Sequence, residues 1–150
     1  MSLSAYLESL LTFDDTWEFE TRWGEMDANG HINNVNYLRY FEEARARLFS
    51  RGPWTVDLRK QLNLGPVLHR TEVDFLLPLA YPARVICYTQ MRPHSTARII
   101  VEQEIRIKDN DQVACRVKNW IVFMDLQTNR PMALSKAAKL FAKANDSENR

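Results

Sequence analysis

Trp23-Gly24-Glu25-Met26-Asp27-Ala28-Asn29-Gly30-His31-Ile32-Asn33-Asn34-Val35-Asn36-Tyr37 is the densest polar run of the chain, and its two flanks decide the fold. Upstream, Trp17, Phe19, Thr21 and Trp23 alternate with Glu18, Glu20 and Arg22. That is the period of two that a half-buried strand requires. Downstream, Tyr37, Phe41, Ala44 and Leu48 recur in steps of four, three and four, which places them on one face of a helix, with Asn36, Arg39, Glu43 and Arg47 on its polar side. Asn33 or Asn34 can cap that helix by accepting a hydrogen bond from a free backbone amide, and Gly52-Pro53 supplies its stop. The polar run is therefore a loop that leads from a strand to a helix N-terminus.

Four more runs have strand character, at about 66–77, 83–91, 96–107 and 112–124, with a tight turn expected at Asp109-Asn110-Asp111. In the first of them Val67, His69, Thr71, Val73, Phe75 and Leu77 oppose Arg70, Glu72 and Asp74, and Pro78 and Pro82 end it. In the last, Val113, Cys115, Val117, Ile121 and Phe123 share one parity. Ser135 is then expected to cap a short helix with Ala137, Leu140, Phe141 and Ala144 inward, followed by a polar tail over 145–150. No repeat or Gly/Ser linker divides the chain. The expectation is one domain over residues 1–150, of class α+β, in which one long helix covers a five-stranded antiparallel sheet.

Bulk properties narrow the function. The 20 basic and 19 acidic residues leave a net charge of +1, which gives a nucleic-acid role no support. Cys87 and Cys115 lie in alternating apolar runs without Cys-x-x-Cys spacing or ligand companions, so they read as reduced core thiols, and no metal site is expected. No segment approaches the roughly 18 uninterrupted apolar residues of a membrane span, and no basic leader precedes an apolar stretch. The expected compartment is the cytoplasm.

Chemistry concentrates in the polar loop. A helix N-terminus presents unpaired N–H groups that can bind a developing oxyanion, and a carboxylate beside it can act on an ester or thioester carbonyl. Asp27 would serve as base or nucleophile while amides near Asn34 polarise the carbonyl oxygen from the other side. Asp, Asn and Gly are also ordinary turn and cap residues, so composition alone leaves a structural and a catalytic loop both open.

The string Asp27-x-Asn29-x-His31-x-Asn33-Asn34-x-x-Tyr37, continuing into Phe41-Glu42-x-Ala44-Arg45, resembles the signature of hot-dog thioesterases of the 4-hydroxybenzoyl-CoA thioesterase and acyl-carrier-protein thioesterase superfamily. Gly65-Pro66-Val67 and Phe75-Leu76-Leu77-Pro78-Leu79 also resemble strand sequences of that group, and the order of elements fits across roughly residues 15–125. The resemblance implies a hot-dog fold, a five-stranded antiparallel sheet wrapped around one long helix, here with a short C-terminal helix. It implies an acyl-CoA thioesterase that releases free acid and CoA, without a metal or separate cofactor, as a homodimer or dimer of dimers. Asp27 matches the residue that attacks the carbonyl or activates water, and the amide of Asn34 the group that polarises the carbonyl. Asn29 and His31 match residues implicated in the carrier-protein branch. Glu25 stands where many relatives have aspartate, which allows a second carboxylate to tune Asp27. For the phosphates of CoA, Arg92 and then His94, in a stretch read as a turn between strands, are the candidates. Glu42 and Arg45 are expected to form an ion pair. The alternatives are an acyl-carrier-protein thioesterase and a hot-dog protein that binds acyl-CoA without hydrolysing it.

Overall fold

The structure is a computed structural model that describes residues 2–51 and 54–148. In chain order it contains helix α1 (Leu3–Leu11), strand β1 (Phe13–Glu20), helix α2 (Asn34–Arg51) and helix α3 (Val56–Gln61). Strands β2 (Leu64–Phe75), β3 (Arg84–Ser95), β4 (Arg98–Ile107) and β5 (Val113–Asp125), the two-residue β6 (Arg130–Pro131) and helix α4 (Leu134–Glu148) complete it. The main strands form one antiparallel sheet in the order β1-β3-β4-β5-β2, so β1 and β2 are its edges.

Strict alternation makes one sheet face apolar. Val85, Cys87 and Met91 of β3, Ile99, Val101 and Ile105 of β4, and Cys115, Val117, Ile121 and Phe123 of β5 are all buried. Against them lies the face of α2 that carries Tyr37, Tyr40, Phe41, Ala44 and Leu48. At the other end of the sheet, Trp54 is fully enclosed between Phe123 and Phe141, and its indole N–H donates to the Leu10 carbonyl at 2.9 Å. This second cluster is closed by α1 and α4, through Leu10, Leu11, Leu134, Ala137 and Ala138.

A polar row crosses the same inner face, and sequence periodicity did not announce it. Gln103 and Asn119 sit at inward positions and are buried. Gln103 donates through Nε2 to the Phe41 carbonyl at 3.0 Å and to Thr89 Oγ1 at 3.1 Å, while its Oε1 accepts from Asn119 Nδ2 at 3.1 Å. Thr71 Oγ1 donates to Asn119 Oδ1 at 2.8 Å and extends the row to the edge strand. Arg45 reaches Gln103 Oε1 at 3.4 Å, and among the described residues it makes no ion pair with Glu42, contrary to the expectation. Burial holds the Arg45 guanidinium below its ordinary pKa.

Several local expectations need correction. Strand β1 begins at Phe13 and ends at Glu20, and Trp23 leaves the strand face to stand 73% exposed, because a 3-10 turn over Trp23–Glu25 breaks the alternation. The expected apolar face of β2 is largely exposed, including Val67 and Phe75, since β2 is an edge strand whose register shifts between Leu68 and Arg70. Helix α4 starts at Leu134, one residue before the expected cap Ser135, and continues for 15 residues through most of the expected tail. Helices α1 and α3 were not anticipated. The Gly52-Pro53 stop lies outside the described residues. The central expectation stands: a curled five-stranded antiparallel sheet, one long helix across it, and a C-terminal helix.

Candidate functional site

The polar loop folds as a small closed hairpin. Met26 and Ile32 pair as an antiparallel bridge, the Asp27 amide donates to the His31 carbonyl at 2.8 Å, and the Gly30 amide returns to the Asp27 carbonyl at 3.0 Å. Gly30 has φ +72°, a left-handed conformation that a side chain would disfavour. Inside the turn, the Asn29 amide donates to Asp27 Oδ1 at 2.8 Å, the local pattern that makes Asp a good turn former. Asp27 is half-buried, and its Oδ2 has no hydrogen-bond partner among the described residues.

The hairpin feeds directly into α2. Asn33 is the cap: its Oδ1 accepts from the Val35 amide at 3.0 Å and its carbonyl from the Asn36 amide at 2.9 Å. Neither bond takes the amide of Asn34, the first residue of the 18-residue helix. The first-turn N–H groups of a helix lack partners within it and carry the positive end of its dipole. The structure thus brings together Asp27, Asn29, His31 and Asn34 within one hairpin and the helix start that follows it. Asn29 and His31 are exposed, and the His31 ring makes no hydrogen bond or ion pair among the described residues.

The loop is tied to the body of the protein at a few atoms. Buried Ile32 donates through its amide to the Leu79 carbonyl at 2.7 Å, and Tyr37 Oη accepts from the Leu79 amide at 2.9 Å while lying 3.4 Å from the Leu77 carbonyl as donor. Glu25 accepts at its carbonyl from the Asn33 amide at 2.9 Å and from Asn36 Nδ2 at 3.0 Å. Its carboxylate accepts from the Arg22 amide at 2.9 Å and from the Tyr40 hydroxyl. Burial, and then the Glu25 carboxylate, push the Tyr40 hydroxyl well above the ordinary tyrosine pKa. Sequence reasoning passed over Tyr40 and the Glu25 bonds, and placed Asn36 only on the polar side of the helix. Their signal was the spacing Asn33, Asn36, Tyr37, Tyr40, which sets hydroxyl and amide groups at the loop end of the helix's buried face.

Arg92 and His94 do not join this constellation within the chain. Both lie inside β3, not in a turn; the connection to β4 is Thr96-Ala97. Pro93 is tolerated there because β1 stops pairing at Met91 and the β3–β4 register shifts between Pro93 and Ser95, so no ladder requires its missing N–H. Arg92 is ion-paired with Glu102, and His94 is exposed. The loop sits at the opposite end of β3, where the Thr21 amide donates to the Ala83 carbonyl at 2.9 Å. At about 3.3 Å per residue, Arg92 is roughly 26 Å along the strand from Arg84.

A curled antiparallel sheet wrapped around one long helix is the hot-dog fold. Residues 21–141 match the family model of the Thioesterase-like superfamily, and the chain belongs to that family. It is 26% identical over 100 residues, 63% of its own length and 78% of the relative's, to a protein of Aquifex aeolicus (strain VF5) named "Putative esterase". Among solved structures it resembles a Pseudomonas aeruginosa protein named "a putative Thioesterase", with 26% identity, TM-score 0.71, and coverage of 79% of this chain and 89% of that one. It also shares the fold of a DHNA-CoA thioesterase from Staphylococcus aureus, at 24% identity and TM-score 0.73, covering 91% and 95% of the two chains. Among the described residues no helix is long and apolar enough to cross a membrane.

Proposed function

We propose that this protein hydrolyses an acyl-CoA thioester to the free acid and CoA, with Asp27 as base or nucleophile and the Asn34 amide as oxyanion donor. The observation that carries the reading is the hairpin, running directly into α2, that holds Asp27 by one carboxylate oxygen and leaves the other without a partner among the described residues. As a base, Asp27 takes a proton from water as the oxygen attacks the thioester carbon; the carbonyl electrons move to an oxygen stabilised by the amide. Collapse breaks the C–S bond, and the thiolate of CoA recovers the proton from Asp27. As a nucleophile, the carboxylate itself forms an acyl anhydride and expels the thiolate, and water then hydrolyses the anhydride. Asn29 and His31 orient water or substrate in both versions.

The working unit in this proposal is a homodimer. Edge strand β2 is exposed along Val67, Leu68 and Phe75, the kind of open edge that a two-fold partner covers. A partner also resolves the separation of Arg92 and His94 from the loop, because an antiparallel copy carries its own far strand end toward the first chain's loop end. Arg92 and His94 of that copy then hold the phosphates of CoA.

Free-thiol release from a panel of short, long, branched and aromatic acyl-CoA esters tests the reading, with matched acyl groups on carrier protein run in parallel. Turnover on the CoA esters is expected. Turnover confined to carrier-protein esters would move the activity to that leaving group, and tight retention of acyl-CoA without thiol release would make the protein a binding module.

A further inference from the structure

A carboxylate on an exposed, glycine-containing hairpin is a poor catalyst unless something fixes the hairpin, since displacement of a reacting group by about 1 Å can cost 100-fold in rate. The bonds of Asp27, Asn29, Gly30 and His31 to one another are all internal to the turn, so they define its shape but not its position. Position comes from the residues before and after. Glu25, two residues ahead of Asp27, meets four donors: the Arg22 amide, the Asn33 amide, Asn36 Nδ2 and the Tyr40 hydroxyl. These come from the start of the 3-10 turn after β1, the end of the hairpin and the first two turns of α2.

We propose that Glu25 and Tyr40 form a latch that fixes the Asp27 hairpin against α2, making both of them positioning residues of the site; this rests on the reading of Asp27 given above. Tyr40 is anchored, only 6% exposed, with its ring 4.7 Å from Phe19 and 6.4 Å from Tyr37 between centroids. A hydrogen bond from its hydroxyl to a carboxylate is of the charge-assisted kind, roughly twice as strong as a neutral pair. The raised pKa of Tyr40 keeps it protonated, and therefore a donor, at every pH where the enzyme would work. The sequence suggested a different role for Glu25, a second carboxylate tuning Asp27. Its carboxylate bonds run instead to Arg22 and Tyr40, and its carbonyl bonds to Asn33 and Asn36, so the geometry assigns it to holding the loop.

The test compares Tyr40→Phe, Glu25→Ala and Glu25→Gln with the wild type in the thiol-release assay, together with backbone hydrogen exchange over residues 25–33. Tyr40→Phe keeps the packed ring and removes only the hydroxyl. It is expected to lower kcat about 10-fold with little change in KM, and to speed exchange at Asn29, Gly30 and Asn33. Glu25→Ala should do the same or more, whereas Glu25→Gln keeps a side-chain oxygen for both donors and should lose no more than about two-fold. In an Asp27→Asn background, Tyr40→Phe should add no further loss, because no base remains to be positioned. Unchanged loop exchange in Tyr40→Phe overturns the latch, and so does a loss in Glu25→Gln as large as that in Glu25→Ala, because the amide keeps an acceptor for both donors. Full turnover by Asp27→Asn sinks the catalytic reading of Asp27 instead, and leaves the exchange result to decide the latch by itself.

Discussion

Replacing Asp27 by Asn removes the ionisable group and little else. The wild-type Oδ1 accepts the Asn29 amide at 2.8 Å, and an asparagine carbonyl accepts the same bond, so the turn closed by Gly30 and the bridge between Met26 and Ile32 should persist. Loss of the turn bond, as in Asp27→Ala, would cost about 1 kcal/mol and loosen the hairpin, which is why Asn is the cleaner change. What Asn cannot do is take a proton from water or form an anhydride. A positioned acid–base group is worth about two to four powers of ten, so kcat should fall by that factor while the KM for acyl-CoA stays within about three-fold. Thiol release with the best acyl-CoA ester, circular dichroism and sedimentation on the same preparations make the measurement. Equal turnover by Asp27→Asn and wild type, in a protein of unaltered fold and assembly, would refute the chemistry.

Sedimentation at micromolar concentration should show no dominant 17.6 kDa species, and mixing should reveal shared sites. Arg92→Ala should raise KM more than it lowers kcat, because a phosphate contact is made equally in ground and transition states. Refolded together, Asp27→Asn and Arg92→Ala chains should regain one intact site per heterodimer, a recovery that would not occur if both residues served one site within one chain. Gln103→Leu should destabilise the protein by about 3 kcal/mol in urea unfolding, because it strands the Phe41 carbonyl, Thr89 and Asn119 in a buried row. Burial pushes both Cys87 and Cys115 up to about 12, so at pH 8 only about one thiol in ten thousand is thiolate. Both should therefore stay inert to a disulfide reagent in the native protein and react fully once it is unfolded.

Much of this was legible along the chain because it is periodic. The positions Tyr37, Phe41, Ala44 and Leu48, and the parity of Cys115, Val117, Ile121 and Phe123, follow from burying one face of a regular element, and all are buried. The loop that carries Asp27 was also readable, since Asp, Asn and Gly close turns by bonds to near neighbours, though not its closure as a hairpin by the Met26–Ile32 bridge. Where periodicity stops, the reading failed. Trp23 continues the alternation in sequence but leaves the sheet at a 3-10 turn, and Ser135 resembles a cap one residue inside the helix it was to start.

Residues distant in sequence gave no signal. Arg92 and His94 looked like a turn because Pro93 stands between them, yet a proline is harmless where β3 has lost its β1 neighbour, and only the strand register reveals that. The polar row of Thr71, Thr89, Gln103 and Asn119 joins four strands, and each member alone reads as a polar interruption of an apolar run. The bond from Tyr40 to Glu25 depends on the angle at which the loop returns to α2. The sequence determined the main strands, the long helix, the inward faces of α2 and β5 and the loop that carries Asp27, because those are set by interactions among near neighbours. Tertiary structure decided the strand order, the open β2 edge, the place of Arg92 at the far end of β3 and the partners of Glu25, because they depend on where chain segments meet after burial selects one packing.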